Sequence, residues 1–204
     1  MHVVNGTGDV LGCVREPLPK RWKSLSMAEK IGPGETDYNI YDRQVAAEAM
    51  KWLTAEGKQD KPWVLFVSMV APHFPLIAPQ EFYDLYDTLD LMPSKPRESP
   101  EHPWHHAMRN CQIMDNFTSE RTRVALASYY GLVTFIDDLI GKILNTVEEN
   151  SLGDNTQIFY LSDHGDNIGE RDFWGKSNFY EESVGIEAVV AKGGFGATPP
   201  PGVN

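Results

Sequence analysis

Residues 157–182 read QIFYLSDHGDNIGERDFWGKSNFYEE, and this stretch decides how the rest of the chain is interpreted. Its apolar run, residues 158–161, ends abruptly at Ser162, Asp163 and His164. That pattern predicts a short buried strand whose carboxyl end presents a carboxylate beside an imidazole. Ligands bind at that edge of open α/β sheets, so we expect a binding site there.

Two glycines and a lysine follow the Asp-His pair. Gly165 and Gly169 allow the loop to approach a bound group closely, and Lys176 is expected to place a cation over the same sheet edge. A carboxylate, an imidazole and a nearby lysine are what a site needs to hold a metal ion together with an oxyanion. The same residues are equally compatible with a strand that ends in an exposed turn rich in Asp and Gly.

A second apolar run, residues 63–70, ends similarly at residues 71–75, Ala-Pro-His-Phe-Pro. A nearly continuous apolar run is typical of a strand that is covered on both faces. The two prolines stop the strand and restrict the backbone around His73, which favours a catalytic group because such groups need a fixed position. If both strands are parallel, His73 and Asp163 emerge at one sheet edge. A histidine after a strand is also commonly an ordinary loop residue.

Helices are predicted between and before these strands. Residues 41–55 carry apolar side chains on one face, with Asp42 as the N-cap and Gly57 at the end. A shorter helix is predicted within residues 79–86. Residues 119–149 form the strongest predicted helix, capped by Ser119. Its apolar positions recur at three- and four-residue steps: Leu132, Phe135, Ile136, Leu139, Ile143 and Val147.

Two further groups of residues are candidates for functional sites: one acidic pair and one aromatic cluster. Asp137 and Asp138 resemble a metal-binding pair, but adjacent helical residues diverge by about 100°, so they are interpreted as structural or surface charges. Residues 91–117 are predicted to form a long loop that contains Trp104, His105 and His106. A loop of this length is often functional, so these three residues are candidates for facing a substrate, although an ordinary surface excursion is the favoured interpretation.

The composition limits the function classes. The chain has 204 residues, enough for one domain with a full core, and ordinary hydrophobic and charged fractions. The formal charge of −11 excludes nucleic acid as an expected partner, because phosphates would not be neutralised. No apolar run approaches the length of a membrane span. Two cysteines, Cys13 and Cys111, are too few for a disulfide framework.

The two ends of the chain carry less information. Residues 1–40 contain Gly and Pro at short intervals, and we expect them to be irregular. The N-terminus lacks the segments of a signal peptide, so either the protein stays inside the cell or the chain begins inside a longer one. The compartment and the oligomeric state therefore stay open. Residues 187–204 are an atypical tail rich in Gly and Pro.

Four blocks in order make the sequence resemble the sulfatases of the alkaline-phosphatase superfamily. They are WVLFVSMVAPHFP at 63–75, ASYYGLVTFIDDLIGKIL at 127–144, FYLSDHGDNIG at 159–169 and WGKSNFYEESVG at 174–185. Together they cover roughly residues 40–186. The resemblance implies an α/β fold, an α/β/α sandwich with a mostly parallel mixed sheet, here incomplete.

The resemblance also implies roles for four residues. Asp163 and His164 would be two ligands of a divalent cation, which is usually calcium in sulfatases. Many sulfatases carry Asn where this chain has His164, and related hydrolases with His there use manganese or zinc, so these metals remain alternatives. Lys176 would bind the sulfate oxygens and stabilise charge in the transition state. His73 would contact the sulfate or the bridging oxygen as the alcohol leaves.

The sequence departs from the family at its nucleophile. Sulfatases convert a Cys or Ser in a Cys/Ser-x-Pro/Ala-x-Arg motif to formylglycine, whereas Cys13 is followed by Val-Arg-Glu and Cys111 by Gln-Ile-Met. The early Asp-Asp metal pair of the family is also absent, because Asp9 stands alone. After Gly185 the family continues with a proline-led strand, whereas this chain has Glu187. The chain is therefore interpreted as an interior part of a sulfatase catalytic domain, with formylglycine expected in the missing N-terminal part.

The prediction is a sulfuric ester hydrolase that acts on a small-molecule or carbohydrate sulfate ester in the intact enzyme. The chain alone is expected to be inactive. One alternative is a phosphodiesterase or phosphonate monoester hydrolase of the same superfamily. The other is a catalytically inactive binding or structural remnant.

Overall fold

The computed structural model describes residue 20, residues 22–186 and residues 188–192. Within these ranges the helices are α1 (Asp37–Glu56), α2 (Gln80–Tyr83), α3 (Pro103–Cys111), α4 (Ser119–Glu149) and α5 (Glu181–Val184). The strands are β1 (Ile31–Pro33), β2 (Leu76–Ala78), β3 (Gln157–Leu161) and β4 (Ala188–Lys192). Cys13, Asp9, Glu187 and residues 193–204 of the tail lie outside the described residues.

Helix α4 is the centre of the main core. The predicted helix has the observed bounds, Ser119–Glu149, but its N-cap is Thr118, whose hydroxyl accepts a hydrogen bond from the Arg121 amide. The predicted apolar face is buried against α1, α2, β1 and β2. Of the adjacent acidic pair, Asp137 is exposed and Asp138 pairs with Lys142 at 2.5 Å, as expected for surface charges.

Helix α1 begins earlier than predicted. Its N-cap is Thr36, whose hydroxyl accepts a hydrogen bond from the Asn39 amide at 3.2 Å, and Gly57 ends it as expected. The prediction that Asp42 caps the helix is wrong. Asp42 lies inside the helix, beyond its first turn, and is fully buried. Its carboxylate is satisfied there, because it accepts hydrogen bonds from the amides of Val70 and Ala71 at 2.8 and 2.9 Å.

The strands form two separate pairs. β1 and β2 are parallel, with Ile31 opposite Leu76, and they lie on α4. β3 and β4 are antiparallel, with Gln157 opposite Lys192. The predicted α/β class is confirmed, since helices pack on a parallel pair of strands, while the antiparallel pair forms a separate sheet within the described residues.

Residues 63–70 are not a strand, which corrects the prediction. Exposure alternates along this run: Val64 and Phe66 are 95% and 87% exposed, while Leu65 and Met69 are half-buried and pack against the apolar clusters. Alternation is the signature of an extended chain with one covered face. In the described residues no strand pairs with this run, so its apolar outer positions remain uncovered.

β3 is a strand as predicted, but it is exposed and not buried. Phe159, Tyr160 and Leu161 are all exposed, because β4 is the strand that pairs with β3 within the described ranges and no helix covers the outer face. The prediction that residues 63–70 and β3 share one parallel sheet is therefore wrong for this structure.

The predicted loop 91–117 contains a helix. α3 spans Pro103–Cys111 and includes all three aromatic candidates, Trp104, His105 and His106. Its N-cap is His102, whose ring nitrogen accepts from the Trp104 amide at 3.2 Å, and proline occupies the first position. Proline is favoured there because its missing N–H has no helical partner in the first turn.

Only one helix in the described part of the chain is long and apolar enough to cross a membrane by length and composition, and that helix is α4. Half of its most apolar window is buried inside the protein, as in the core helix of many water-soluble domains. The expectation that the protein has no membrane span stays a prediction.

Candidate active site

Three segments bring the predicted site residues together. His73 lies in the turn 71–75, Asp163 and His164 follow β3, and Lys176 lies in the segment before α5. The rings of His73 and His164 are 6.5 Å apart between centroids and meet edge to face. The residues converge as expected, although they are not delivered by two parallel strands.

The hydrogen bonds of His164 define its tautomer. Its Nδ1 lies 2.8 Å from the carbonyl oxygen of Gly165, which can only accept, so Nδ1 carries the proton. Nε2 is then a lone-pair acceptor, and the ammonium group of Lys176 donates to it. The carboxylate of Asp163 lies 3.6 Å from the same Nε2 atom. Carboxylate, imidazole and ammonium thus meet around one atom.

Asp163 and Lys176 differ in exposure. The side chain of Asp163 is 88% exposed, while Lys176 is half-buried. A carboxylate this exposed keeps its oxygens available to a ligand, because no residue in the described part of the chain donates a hydrogen bond to it.

The backbone around His73 is held by a helix behind it. The His73 amide donates to the carbonyl of Val70 at 3.0 Å, and the ring Nδ1 lies 2.7 Å from the carbonyl of Phe74. Asp42 accepts from the amides of Val70 and Ala71, so the turn is anchored to α1. The Nδ1 contact leaves Nε2 of His73 as the ring atom that can act on a ligand.

Asp166 and Asn167 tie the loop after β3 to the segment that carries Lys176. Asp166 Oδ1 accepts from the amides of Ile168 and Gly175 at 2.9 and 3.0 Å. The Asn167 amide donates to the carbonyl of Gly175 at 2.8 Å. Both polar groups of the Gly175 backbone are therefore paired immediately before Lys176.

Burial raises the pKa of two titratable groups near the site, Asp166 and Tyr129. It raises the pKa of Asp166, although hydrogen bonds from Ile168 and Gly175 act in the opposite direction. Part of this residue is still exposed, but protein atoms surround its carboxyl group. Burial, assisted by the charge of Asp166, also raises the pKa of Tyr129 on α4 to about 12. Both groups are therefore largely surrounded by protein atoms.

Gly165 and Gly169 allow close contacts within the protein itself. A Cβ at Gly165 would lie 2.1 Å from the carbonyl oxygen of Glu182, so the loop passes directly against α5. Gly169 has φ of +90°, and a Cβ there would lie 2.7 Å from the ring of Pro93. The expected close approach occurs, but within the described chain it is an approach to the backbone of α5 and to Pro93.

An ion-pair network covers the segment 170–182. Arg171 pairs with Glu182 at 2.7 Å, and Lys95 pairs with the same carboxylate. Arg109 on α3 pairs with Glu101 at 2.7 Å and donates to the carbonyl of Arg171 at 2.7 Å. Burial raises the pKa of Glu182, but the hydrogen bonds from Lys95 and Arg171 outweigh it and lower the pKa to about 2.

The aromatic candidates of α3 belong to a different cluster. His105 is buried and stacks on Tyr180 with ring centroids 4.0 Å apart, while neither of its ring nitrogens has a partner. Burial lowers the pKa of His105. Trp104 packs against the same cluster, and the exposed His106 lies 3.5 Å from Glu101. The structure does not bring these three residues to His73 and His164, and their role as substrate contacts stays a prediction.

An open cavity of about 710 Å³ lies elsewhere in the chain, between the start of β1 and the start of α4. Its lining includes Glu29, Asp115 and Arg121 but none of the predicted site residues. This cavity brings together no imidazole and no lysine. The functional interpretation therefore rests on the predicted site.

Asp163 and His164 do not make a complete cation site. Among the described residues, no group of three or more His, Cys, Asp or Glu side chains is arranged to hold a metal ion. Calcium takes six to eight oxygen ligands, and zinc usually takes four ligands. The residues present therefore fit part of a ligand set, and Lys176 already occupies the lone pair of His164.

Sequence reasoning missed the residues that support the site. Asp42 was interpreted as a cap, and its contact with the turn 71–75 could not be inferred because it joins positions 28 residues apart. The sequence offers one indication for Asp166, since this residue directly follows the Asp-His-Gly stretch. Asn167 and Asn178 are buried polar residues, and burial cannot be inferred from their isolated positions in the sequence.

Comparisons with known proteins point to one family. A family model described as Sulfatase matches residues 14–195. The choline-sulfatase of Rhizobium meliloti is 29% identical over 170 residues, which cover 78% of this chain and 33% of that protein. An arylsulfatase of Clostridium perfringens is 32% identical over 137 residues, which cover 64% of this chain and 27% of that protein.

A solved structure shares the fold. The phosphonate monoester hydrolase of Agrobacterium radiobacter superposes with a TM-score of 0.61 at 27% identity, covering 72% of this chain and 30% of that one. The predicted alkaline-phosphatase-like fold is thereby confirmed. The chain spans about a third of the length of these relatives.

Proposed function

The chain belongs to the sulfatase family, and on that basis we propose that it forms part of the active site of an enzyme that hydrolyses sulfate esters. The observation that carries this proposal is the meeting of His73, His164 and Lys176 around one point. A lysine ammonium beside two imidazoles is suited to a tetrahedral oxyanion, because it offers positive charge and directional donors.

Lys176 is the sulfate-binding group in this proposal. Its ammonium has three donors, and His164 Nε2 accepts one of them, which leaves two for sulfate oxygens. Negative charge develops on these oxygens as the ester bond breaks, so a positioned ammonium stabilises the transition state more than the ground state.

His73 assists the departure of the alcohol. Its Nδ1–H donates to the carbonyl of Phe74, so the ring acts as a general acid when it carries a second proton, on Nε2, next to the bridging oxygen. Donating this proton neutralises the alkoxide as it leaves. Asp42 supports the step indirectly, because it anchors the turn that carries His73.

The nucleophile comes from polypeptide outside these 204 residues in this proposal. In this family a formylglycine residue supplies the nucleophile, and neither Cys13 nor Cys111 has the surrounding motif. Asp163 would supply one carboxylate toward a divalent cation, and His164 would supply its Nε2 lone pair once the ammonium group of Lys176 leaves it, with further ligands from outside the chain. Calcium is the expected metal, and manganese and zinc are the alternatives. Such a cation withdraws charge from the sulfate oxygens.

The proposed substrates are small-molecule or carbohydrate sulfate esters. Relatives named choline-sulfatase and arylsulfatase suggest choline sulfate and aryl sulfates as the first compounds to test. Phosphonate monoesters are the second set, since a phosphonate monoester hydrolase shares the fold at 27% identity.

Binding of inorganic sulfate tests the proposal in the chain itself. NMR spectra of the labelled chain, titrated with sodium sulfate and separately with sodium chloride, should show saturable shifts at His73, His164 and Lys176. Lys176→Ala should abolish them. The matched control is Lys142→Ala, which removes an exposed lysine that pairs with Asp138 on α4.

The outcome separates the proposed functions. Sulfate binding that survives Lys176→Ala, or that shifts none of the three residues, contradicts the proposed site. Saturable binding of methylphosphonate at these residues, with none of sulfate, would favour the phosphonate hydrolase alternative. We expect affinity on the order of millimolar, because in the described part of the chain the Lys176 ammonium is the one lysine or arginine group brought to His73 and His164.

A further inference from the structure

We propose that Asp166 and Asn167 are positioning residues for Lys176. Together they form hydrogen bonds to both polar groups of the Gly175 backbone, and we call this set of bonds the grip. The grip fixes the backbone position from which the lysine side chain reaches His164. The inference rests on the proposed role of Lys176 in sulfate binding, but the contact it explains can be measured without any substrate.

The grip acts on the two sides of one residue. Asp166 Oδ1 accepts from the Gly175 amide at 3.0 Å. The Asn167 amide and its side-chain Nδ2 both donate to the Gly175 carbonyl, at 2.8 and 2.5 Å. Two neighbouring residues thus satisfy all the hydrogen-bonding groups of Gly175, which leaves its peptide planes little freedom to rotate.

Buried amides extend the grip beyond Lys176. Asn167 is 1% exposed, and its Oδ1 accepts from the Nδ2 of Asn178 at 3.1 Å. Asn178 is buried as well, and its Oδ1 accepts from the Tyr180 amide at 3.2 Å. Because the amide oxygens and nitrogens of these side chains have partners, each side chain has one defined orientation. The network therefore holds the chain both before and after Lys176.

The local backbone needs such support. Gly175 has φ of +71°, and Ser177 has φ of +87°, so Lys176 lies between two residues in the left-handed region. Glycine adopts many backbone conformations at similar energy, and its position is therefore set by its partners. A lysine side chain also has several rotatable bonds, so an unfixed backbone would spread the ammonium over a wide volume.

The same loop carries the proposed cation ligands and the grip. Asp163 and His164 precede Asp166 by three and two residues, and Ile168 donates its amide to Asp166 Oδ1 at 2.9 Å. The loop is thus closed on itself at Asp166 and joined to Gly175 at the same oxygen atom. One oxygen atom, Asp166 Oδ1, consequently sets the distance between the Asp163–His164 pair and the ammonium group of Lys176.

The test measures the contact itself. In NMR spectra of the full chain we expect a nuclear Overhauser effect between the Lys176 side chain and the His164 ring. The Gly175 amide should exchange with solvent slowly. Asp166→Ala should abolish the Overhauser effect and speed that exchange about tenfold, the effect of losing one hydrogen bond of typical strength.

Conservative and control variants separate positioning from general damage. Asp166→Asn keeps the accepting oxygen and should restore the Lys176–His164 contact. Asn167→Ala removes the side-chain bond but keeps the backbone amide that donates to the Gly175 carbonyl, so it should weaken the contact without abolishing it. Asn150→Ala is the matched control, because it removes a similar hydrogen bond, from Nδ2 to the Thr146 carbonyl at 2.9 Å, at the far end of α4. This control should leave the contact intact.

The inference is overturned if the contact is undiminished in folded Asp166→Ala and Asn167→Ala, or if the conservative Asp166→Asn loses it. If the alanine variants fail to fold, the original chain still decides, because rapid exchange of its Gly175 amide would exclude the grip. Sulfate affinity is measured in parallel. Weakening by Asp166→Ala to the level of Lys176→Ala extends the inference to binding, whereas absence of sulfate binding in the original chain counts against the proposed function alone.

Discussion

The two sides of this molecule differ in how their apolar residues are covered. On one side α4 lies between α1 and the parallel pair β1–β2, and its apolar face is buried. On the other side, residues 63–70 and the hairpin β3–β4 expose large apolar side chains such as Phe66 and Leu161. A large apolar side chain leaves water when a second layer covers it, and the second side has no such layer in the described residues.

This difference explains which sequence predictions succeeded. The bounds of α4 could be predicted because helix formation is local and its pattern repeats over 31 residues. The same reasoning failed for residues 63–70, since a strand exists only when another strand pairs with it. An apolar run shows that a segment prefers burial, but it does not identify the partner that buries it, which is specified elsewhere in the sequence.

The comparison predicts that a truncation in the buried face of α4 has the largest effect on stability. Leu139→Ala should lower the free energy of unfolding by roughly 2–5 kcal/mol, because Leu139 is 5% exposed and its removal leaves a cavity. Lys176→Ala should have a much smaller effect, since this half-buried lysine contacts the site and not the core. Urea midpoints of both variants give the comparison. A larger loss for Lys176→Ala would show that the lysine is structural.

The next largest effect is expected at the connection between the two sides. Asp42→Ala should destabilise the protein by about 1–3 kcal/mol, because the buried amides of Val70 and Ala71 lose their acceptor. Asp42→Asn keeps one accepting oxygen and should lose less. The measurement is the free energy of urea unfolding, with exposed Asp37→Ala as the control in the same helix. Equal losses for Asp42→Ala and Asp37→Ala would rule out this anchoring role.

A smaller, pH-dependent effect is expected from Glu182. Lysine and arginine partners lower its pKa from 4.5 to about 2 in the folded chain. The folded state therefore binds fewer protons than the unfolded state in this interval. The stabilisation is complete above the unfolded pKa of 4.5 and is lost as the pH falls toward 2.

The variant Glu182→Gln isolates this effect. Between about pH 5.5 and about pH 3 its melting temperature should fall less than that of the original chain. Glu48→Gln is the control, since Glu48 forms an exposed pair with Lys51 at 3.4 Å. If Glu182→Gln and the original chain lose the same stability over this interval, the ion pairs with Lys95 and Arg171 do not hold α5 in solution.

The smallest effect on stability is expected on the open side. Phe66→Ser should change the free energy of unfolding by about 0.5 kcal/mol or less, because the side chain is 87% exposed. It should also reduce self-association, since a contiguous apolar surface promotes it. Sedimentation at several concentrations measures the second effect. A loss comparable with that of Leu139→Ala would show that residues 63–70 are covered in solution.

The residues of the site could be predicted from the sequence only in part. His73, Asp163, His164 and Lys176 could be selected because polar groups follow apolar runs and because the blocks around them resemble one family. Their catalytic and metal-binding roles stay predictions. The supporting residues Asp42 and Asn167 could not be selected, since their partners depend on tertiary contacts that no local pattern encodes.

Turnover of a sulfate ester by the isolated chain tests the central claim most directly. An aryl sulfate and choline sulfate are incubated with the purified chain, with calcium and separately with manganese. We predict no multiple turnover, because the binding groups are present but no cysteine has the formylglycine motif, and binding groups alone retain little rate. Multiple turnover that disappears in His73→Ala would contradict the account, since contamination cannot depend on His73 and the chain would then contain its own nucleophile.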